Sequence, residues 1–332
     1  MIKNETIMLG HGSGGRQTQE LLACHFMPAF SNPILDTMQD SGVINDLAFT
    51  TDSFVVTPRF FAGGDIGKLA ICGTLNDLSM VGANVIGLTA AFILAEGLPL
   101  SELDLIITSM AREAHAIGVD IVAGDTKVVP HDACDGIFIT TSAVGRIDAN
   151  FRPQPRDIKV GDAVIVSGTI GDHGMAVMTA RPGMPFSKPI TSDVATLAPL
   201  VEILRQANIA VHALRDPTRG GLAQSLIELS QAAQVQIELQ ETVIPVTPEV
   251  LAACELLGLD PLYVANEGKL IAIVPESQAA ATLTALRAHP LGRDAVQIGT
   301  VTSGDSSIEL RTKAGGRRSL RMASGELLPR IC

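Results

Sequence analysis

The chain has 332 residues, enough for two domains with cores of their own, and its 46% hydrophobic and 18% charged content is that of a globular protein. A formal net charge of −11 argues against nucleic acid or an acidic membrane surface as the main partner. No apolar run approaches the ~18 residues of a membrane helix, no apolar signal segment follows Met1, and five scattered cysteines without a C-x-x-C pair argue against a disulfide framework, a zinc ribbon or an iron-sulfur site, so the cytoplasm is expected.

The first chemistry-bearing stretch is Gly10-His11-Gly12-Ser13-Gly14-Gly15, ahead of a helical pattern through Leu21, Leu22 and Phe26. Such glycines let backbone N–H groups converge on an anion at a helix start, and a plain turn is the alternative. Only Ile7-Met8-Leu9 precedes it, too little strand for a dinucleotide fold. Residues 47–57 read as a strand with Asp46 at its entry and Asp52 inside it. Gly63-Gly64 leads into a helix capped by Asp65 and running to about Gly82; Leu69 after Lys68 rules out a Walker A motif. On that helix Ile66, Ala70, Gly73 and Asp77 share one face, so Asp77 is a carboxylate on a stripe of small and apolar residues. A buried carboxylate needs a partner or a cation, and Asp77 beside Asn76 offers the oxygen ligands that suit Mg²⁺.

A second helix is expected from a capping-box start at Ser101-Glu102-Leu103-Asp104 to Gly118. It feeds a strand over 119–129 interrupted by Gly124-Asp125-Thr126-Lys127, where a glycine signals close approach of a backbone or a ligand. Residues 137–144 form another strand, and His131 with Cys134 could face one metal. Phe151-Arg152-Pro153-Gln154-Pro155-Arg156 is the linker candidate. Beyond it come a buried-type strand over 162–167, the loop Gly171-Asp172-His173-Gly174, a loop over 187–191, a helix over 194–207, and Arg215-Asp216-Pro217-Thr218-Arg219-Gly220-Gly221 opening a helix over 222–233. Paired glycines with two arginines at a helix start suit an anion, and an Arg–Asp bridge pinning the turn is compatible with that. Helices over 248–257 and 276–288 alternate with strands over 270–274 and 296–301; Asn266-Glu267-Gly268 reads as a solvated loop.

Pro329-Arg330-Ile331-Cys332 puts a thiol at the terminus. The weakly patterned Gly315-Gly316-Arg317-Arg318 and Ser324-Gly325-Glu326 let 313–332 read as a flexible tail that carries Cys332 into a pocket, or as an end that merely finishes in cysteine. Domains are expected over 1–150 and 151–312.

Together, the glycine stretch over 11–15, Thr51-Asp52-Ser53, residues 63–68, Asn76-Asp77-Leu78, residues 124–127, 171–174, 215–221, Asn266-Glu267-Gly268 and the terminal tetrapeptide resemble the HypE family of hydrogenase maturation proteins. Single motifs recur in a wider superfamily of ATP-using enzymes that includes aminoimidazole ribonucleotide synthetase and selenophosphate synthetase; the terminal Pro-Arg-Ile-Cys is the specific part. The resemblance implies a two-domain α/β (α+β type) protein. Its N-terminal half would bind ATP and pair with a second copy in a β-barrel-like homodimer core, followed by a second α/β domain and the mobile tail. It implies ATP and Mg²⁺, a HypF-type carbamoyltransferase that loads Cys332, dehydration of the carbamoyl group to a thiocyanate, and delivery of cyanide to iron on a HypC and HypD complex for nickel-iron hydrogenase. Neither nucleic acid nor a membrane is expected as a partner.

On these positions the resemblance makes Cys332 acceptor and carrier, with Glu267 or Lys127 as the base. It places ATP against Gly12, Ser13, Gly14, Gly15, Asp52, Lys68, Asn76, Asp125, Thr126, Asp216, Arg219 and Gly220, and Mg²⁺ on some of Asp52, Asp77, Asp125 and Glu267. A selenophosphate-type synthetase would carry a reactive residue near the N-terminus, and no cysteine precedes Cys24. A purine-pathway synthetase would need no terminal thiol, and an ATP-binding scaffold would use the tail only to dock.

Overall fold

The computed structural model describes residues 6–37, 39–184, 186, 188–325, 328 and 330–332. Ser187, Glu326 and Pro329, expected in a loop and in the tail, and the stretch just after Met1 lie outside the described residues. The chain opens with α1 (Arg16–Leu21) and α2 (Met27–Phe30), joined by a π-helical turn over Leu22–Phe26. There follow β1 (Gly42–Ile44), β2 (Leu47–Phe54), the small pair β3 (Phe60–Phe61) and β4 (Gly64–Asp65), α3 (Ile66–Met80), β5 (Ala83–Ala95), α4 (Leu100–Ala116), β6 (Ile121–Val129) and β7 (Ile137–Ile147). Five of these strands make one sheet in the order β1-β2-β7-β5-β6, antiparallel except where β6 runs parallel to β5 across the α4 crossover.

Asp65 caps α3 as expected, its Oδ1 accepting from the Gly67 and Lys68 N–H groups at 2.7 and 3.0 Å. Helix α3 is enclosed on nearly every side, packed on α4 and on β2, β7 and β5, which is why its sequence carries so little polar face. Helix α4 starts one residue before the expected cap: the Pro99 carbonyl accepts from Glu102 and Leu103, and Ser101 lies inside the first turn. Strand β6 runs unbroken through Gly124, where a Cβ would stand 2.7 Å from the Ala90 carbonyl oxygen of β5. The close approach expected at this glycine is therefore that of a neighbouring strand.

The second half contains β8 (Asp162–Val166), α5 (Asp172–Thr179), α6 (Ala198–Gln206), β9 (Ala213–Arg215), α7 (Gly221–Ala233), β10 (Gln236–Gln240), α8 (Pro248–Leu257), β11 (Ile271–Pro275), α9 (Glu276–Arg287), β12 (Val296–Thr302), β13 (Ile308–Arg311) and β14 (Arg317–Leu320). Its sheet has the order β14-β13-β10-β12-β8-β11-β9 and is covered on both faces, with Val164 and Val166 packing in the core under α7 and Ile165 in the core under α6 and α9. That is the physical reason β8 reads as an uninterrupted apolar run.

The segment expected as a linker joins the two halves between β7 and β8 and is anchored there: Phe151 is buried in the second half's core and Arg205 stacks over its ring at 5.3 Å. Two expectations need correction. Helix α6 begins at Ala198, because Asp193, Ala195 and Leu197 are tied by hydrogen bonds to Asn76 and to the loop around Glu267. Gly315 and Gly316 form the turn of a β-hairpin, and Arg317–Leu320 pairs with Ile308–Arg311, so the expected tail contributes a strand before it leaves the sheet.

Candidate active site

The alternation of β2 turns Ala48, Thr50, Asp52 and Phe54 toward α3, whose Gly73 and Asp77 present one turn of backbone and one carboxylate to them. The Thr50 hydroxyl donates to Asp77 at 2.7 Å. Strand β9 brings Asp216 in from the second half, and the loop before β1 supplies Asp40. One carboxylate oxygen from each of Asp40, Asp77 and Asp216 lies within 4.8 Å of the others. Arg215 holds Asp40 at 2.9 Å and Glu228 at 2.6 Å from behind. Burial, then the Asp40 charge, pushes Asp216 up to about 7. Burial raises Asp40 to about 6 against the pull of Arg215, and burial followed by Asp216 and Asp40 drives Asp77 well above the carboxylate range. Three hard oxygen donors under mutual repulsion fit a divalent cation such as Mg²⁺.

Asp52, Gly73, Asp77, Asp216, Thr218, Arg219, Glu267 and Cys332 line one small cavity beside this cluster. Glu267 is not solvated: only 3% of it is exposed. Its N–H donates to Asp193, and its carbonyl accepts from the Ala195 N–H and the Asn76 amide. Burial, then the Asp216 and Asp52 charges, raises its carboxyl well above the usual range. The Cys332 thiol is pushed up to about 12 by burial, with Arg219 pulling it back and Glu267 and Asp52 adding to the rise. Seated here, it is a neutral thiol.

The tail reaches this seat over the second domain. Tyr263 fixes its base, donating its hydroxyl to the Arg321 carbonyl at 2.8 Å and accepting from the Arg321 N–H at 3.2 Å. The Ala323 carbonyl accepts from the Arg16 N–H. Ile331 is 4% exposed and packs in the first domain's core, against which Leu328 and Cys332 also lie. His173 is buried edge-on to Phe61, and its Nε2–H donates to the Ile331 carbonyl at 2.7 Å while its Nδ1 accepts from the Ser192 hydroxyl at 2.8 Å. Burial lowers the imidazole's affinity for a second proton, in keeping with that tautomer.

Gly12 and Ser13 line the outer cleft with Arg219, Gly220 and Cys332. In this state Ser13 and Gly14 use their N–H groups locally, on the Gly10 carbonyl and the Thr18 hydroxyl. Gly15 caps α1 and lies so close to the Ala323 carbonyl that a Cβ would approach it to 2.5 Å. Arg219 donates to the Gly12 carbonyl at 3.4 Å.

Five expected site residues point elsewhere in the single chain. Asp125, Thr126 and Lys127 lie on the exposed edge strand β6, with the Lys127 ammonium 2.7 Å from Asp125. Lys68 donates to the Gly63 carbonyl at the start of α3. Asn76, beside Asp77, has its amide engaged with the Ala195 and Glu267 carbonyls and the Leu197 N–H, so it joins the domains and offers no free oxygen. The His131 ring and the Cys134 thiol instead lie against the Glu96 and Ile93 carbonyls, at 3.1 and 3.9 Å. Asp40, in a short loop between Gln39 and Ser41 with no pattern around it, carries no sequence signal for its place in the cluster.

Both halves match one family, AIR synthase related protein: its N-terminal domain over residues 38–147 and its C-terminal domain over 159–310. A Cupriavidus necator protein named carbamoyl dehydratase HypE is 48% identical over 337 aligned positions, covering 100% of this chain and 96% of that protein. The crystal structure of a HypE-HypF complex contains a chain with a TM-score of 0.88 and 45% identity, covering 91% of this chain and 99% of that one. Hydrogenase maturation protein HypE in complex with ATP gives 0.83 and 45%, covering 98% and 100%.

Proposed function

The chain belongs to the HypE carbamoyl dehydratases of the AIR synthase related family, and from that membership we propose that it uses ATP to dehydrate a carbamoyl group on its own Cys332 to a thiocyanate. As a member it is an ATP-dependent dehydratase of hydrogenase maturation. The observation that carries the finer reading is the seat of Cys332, a terminal thiol beside Glu267, Asp52 and Arg219 and next to the three-carboxylate cluster.

The chemistry follows from these groups. The oxygen of the S-carbamoyl group attacks the γ-phosphorus of ATP, ADP leaves, and one nitrogen proton is released as the C–O–P bond and a C=N bond form. Phosphate then departs from carbon as the remaining N–H proton is taken, leaving S–C≡N and inorganic phosphate. Glu267 is our candidate base, since burial among acids makes its carboxylate a strong proton acceptor. Lys127 is a second candidate that must come from β6. Arg219 and the outer glycine loop face the phosphates, with Gly14 and Ser13 exchanging their local bonds for phosphate oxygens. Mg²⁺, held by Asp77 and Asp216 with Asp40 or Asp52, would supply charge neutralisation on the transferred phosphoryl group. The neutral thiol of the seated tail is a poor nucleophile, so loading takes place with the tail out and dehydration with it in.

A HypF-type carbamoyltransferase is the proposed loader, supported by the relative's HypE-HypF complex, and a HypC and HypD pair the proposed cyanide acceptor. A homodimer is proposed through the open face and edge of the first sheet, where Val122 and Val128 are 67% and 68% exposed. In that homodimer we place Asp125, Thr126 and Lys127 at the ATP site. Phosphate release per chain tests the reading: protein carbamoylated at Cys332 should cleave one ATP per chain in a burst, and Cys332→Ala none. A burst of equal size in Cys332→Ala would overturn it.

A further inference from the structure

The loop Gly171-Asp172-His173-Gly174 contributes no group to the cavity around Glu267, yet its histidine is among the most enclosed polar side chains, with 0% exposure. Its ring is fixed on three sides: Ser192 donates to Nδ1, Phe61 meets it edge-on at 5.4 Å, and Nε2–H donates to the carbonyl of Ile331, the residue before the thiol. Ser192 is itself oriented, its oxygen accepting from the Val194 N–H at 3.1 Å. One residue earlier, Arg330 sits at φ 55, a left-handed conformation that a non-glycine residue holds only when its surroundings impose it. The surroundings are visible: the Arg330 carbonyl accepts from the Thr57 N–H at 3.1 Å and from Arg181, and its guanidinium pairs with Asp135 at 2.5 Å.

We propose that His173 is a positioning residue which, with Asp135 at the surface, latches the last residues of the chain so that Cys332 is seated against Glu267. The inference rests on the reading that Cys332 carries the reacting group. An ordinary flexible end would show neither a buried donor dedicated to its penultimate carbonyl nor an enforced left-handed residue. Because the latch binds backbone and the Arg330 side chain, it leaves the thiol free to change from empty to loaded without losing its grip. It also gives the tail two fixed points: Tyr263 holds its base at Arg321 and the latch holds its end, so Cys332 leaves only when the latch opens.

The test is the rate at which iodoacetamide alkylates Cys332 in the full-length, uncarbamoylated protein, read by mass spectrometry of the C-terminal peptide, with buried Cys72 and Cys254 as internal controls. Losing one buried hydrogen bond should raise Cys332 alkylation about tenfold in His173→Ala. His173→Gln, which keeps a donor, should restore most of the protection, a rescue that a merely space-filling histidine would not show. Asp135→Ala should raise the rate about threefold, as befits a partly exposed ion pair. Unchanged alkylation in both His173→Ala and Asp135→Ala would overturn the latch. If Cys72 and Cys254 also become reactive in His173→Ala, the surface variant Asp135→Ala decides alone. Since the readout needs no carbamoyl group, a protein that never loses water yet shows this pattern keeps the latch and loses the proposed chemistry. One that dehydrates normally with unchanged alkylation does the reverse.

Discussion

Glu267 and Asp216 show how one enclosed cavity sets two carboxylates to different tasks. Glu267 is surrounded by acids and by backbone bonds that fix its main chain while leaving its carboxyl in the cavity, so Glu267→Gln, which cannot accept a proton, should slow dehydration of the carbamoylated chain by about 10²-fold or more in single turnover, with ATP binding retained. Asp216 carries a linkage consequence. Its carboxyl is raised from an ordinary value near 3.8 to about 7 in the folded, metal-free protein, so the folded state holds a proton that the unfolded chain has lost. The stability that this proton represents is complete below the unfolded value and disappears as pH rises through about 7. Asp216→Asn should therefore match the parent near pH 4 and exceed it by about 2 kcal/mol at pH 8 in metal-free denaturant unfolding, while losing ATP turnover. At this scale the sequence shows Cys332, Asp52, Asp77 and Arg219 through their motifs. Asp40 is hidden in it, because a loop aspartate acquires its role only when Arg215 from β9 folds behind it. Glu267 reads as solvated for a related reason: the neighbouring turn formers suggest a surface loop, and only Asp193 and Asn76 from distant segments enclose it.

Among the elements, the capped helix α3, the uniform strand β8 and the glycine-opened α7 are legible because local chemistry and final burial agree. Strand β5, with the sequence ANVIGLTAAFILA over Ala83–Ala95, gives no such agreement: its alanines, leucines and glycine fit helix or strand alike, and its place between β7 and β6 decides. The start of α6 and the strand β14 are missed for the same reason, since backbone partners far along the chain choose their conformation. Tyr263 hydrogen-bonds the tail to the body of the second domain through its hydroxyl. Tyr263→Phe removes both bonds to Arg321 while keeping the ring, and should speed limited proteolysis within residues 321–325 several-fold at unchanged global stability within about 1 kcal/mol. Equal cleavage rates would remove Tyr263 as the tail's fixed point.

For the whole molecule, the two sheets meet through α3, Asn76 and Asp216, and the end of the chain returns to the first domain's core, so the cleft belongs to neither half alone. The outer face and β6 edge of the first sheet remain open in one chain, with Ile86, Val122 and Val128 exposed. Val122→Lys combined with Val128→Lys should convert the proposed homodimer to monomer in light scattering and lower ATP turnover with it; a dimer of unchanged stability would place the interface elsewhere. Dehydration of a group on the chain's own last residue is proposed, and the decisive measurement is the mass of the C-terminal peptide after its thiol is carbamoylated with cyanate, before and after MgATP, with Cys332→Ala alongside. Loss of one water from that peptide, dependent on ATP and absent in the variant, is expected; ATP cleavage with no change in the peptide's mass would overturn the proposed reaction.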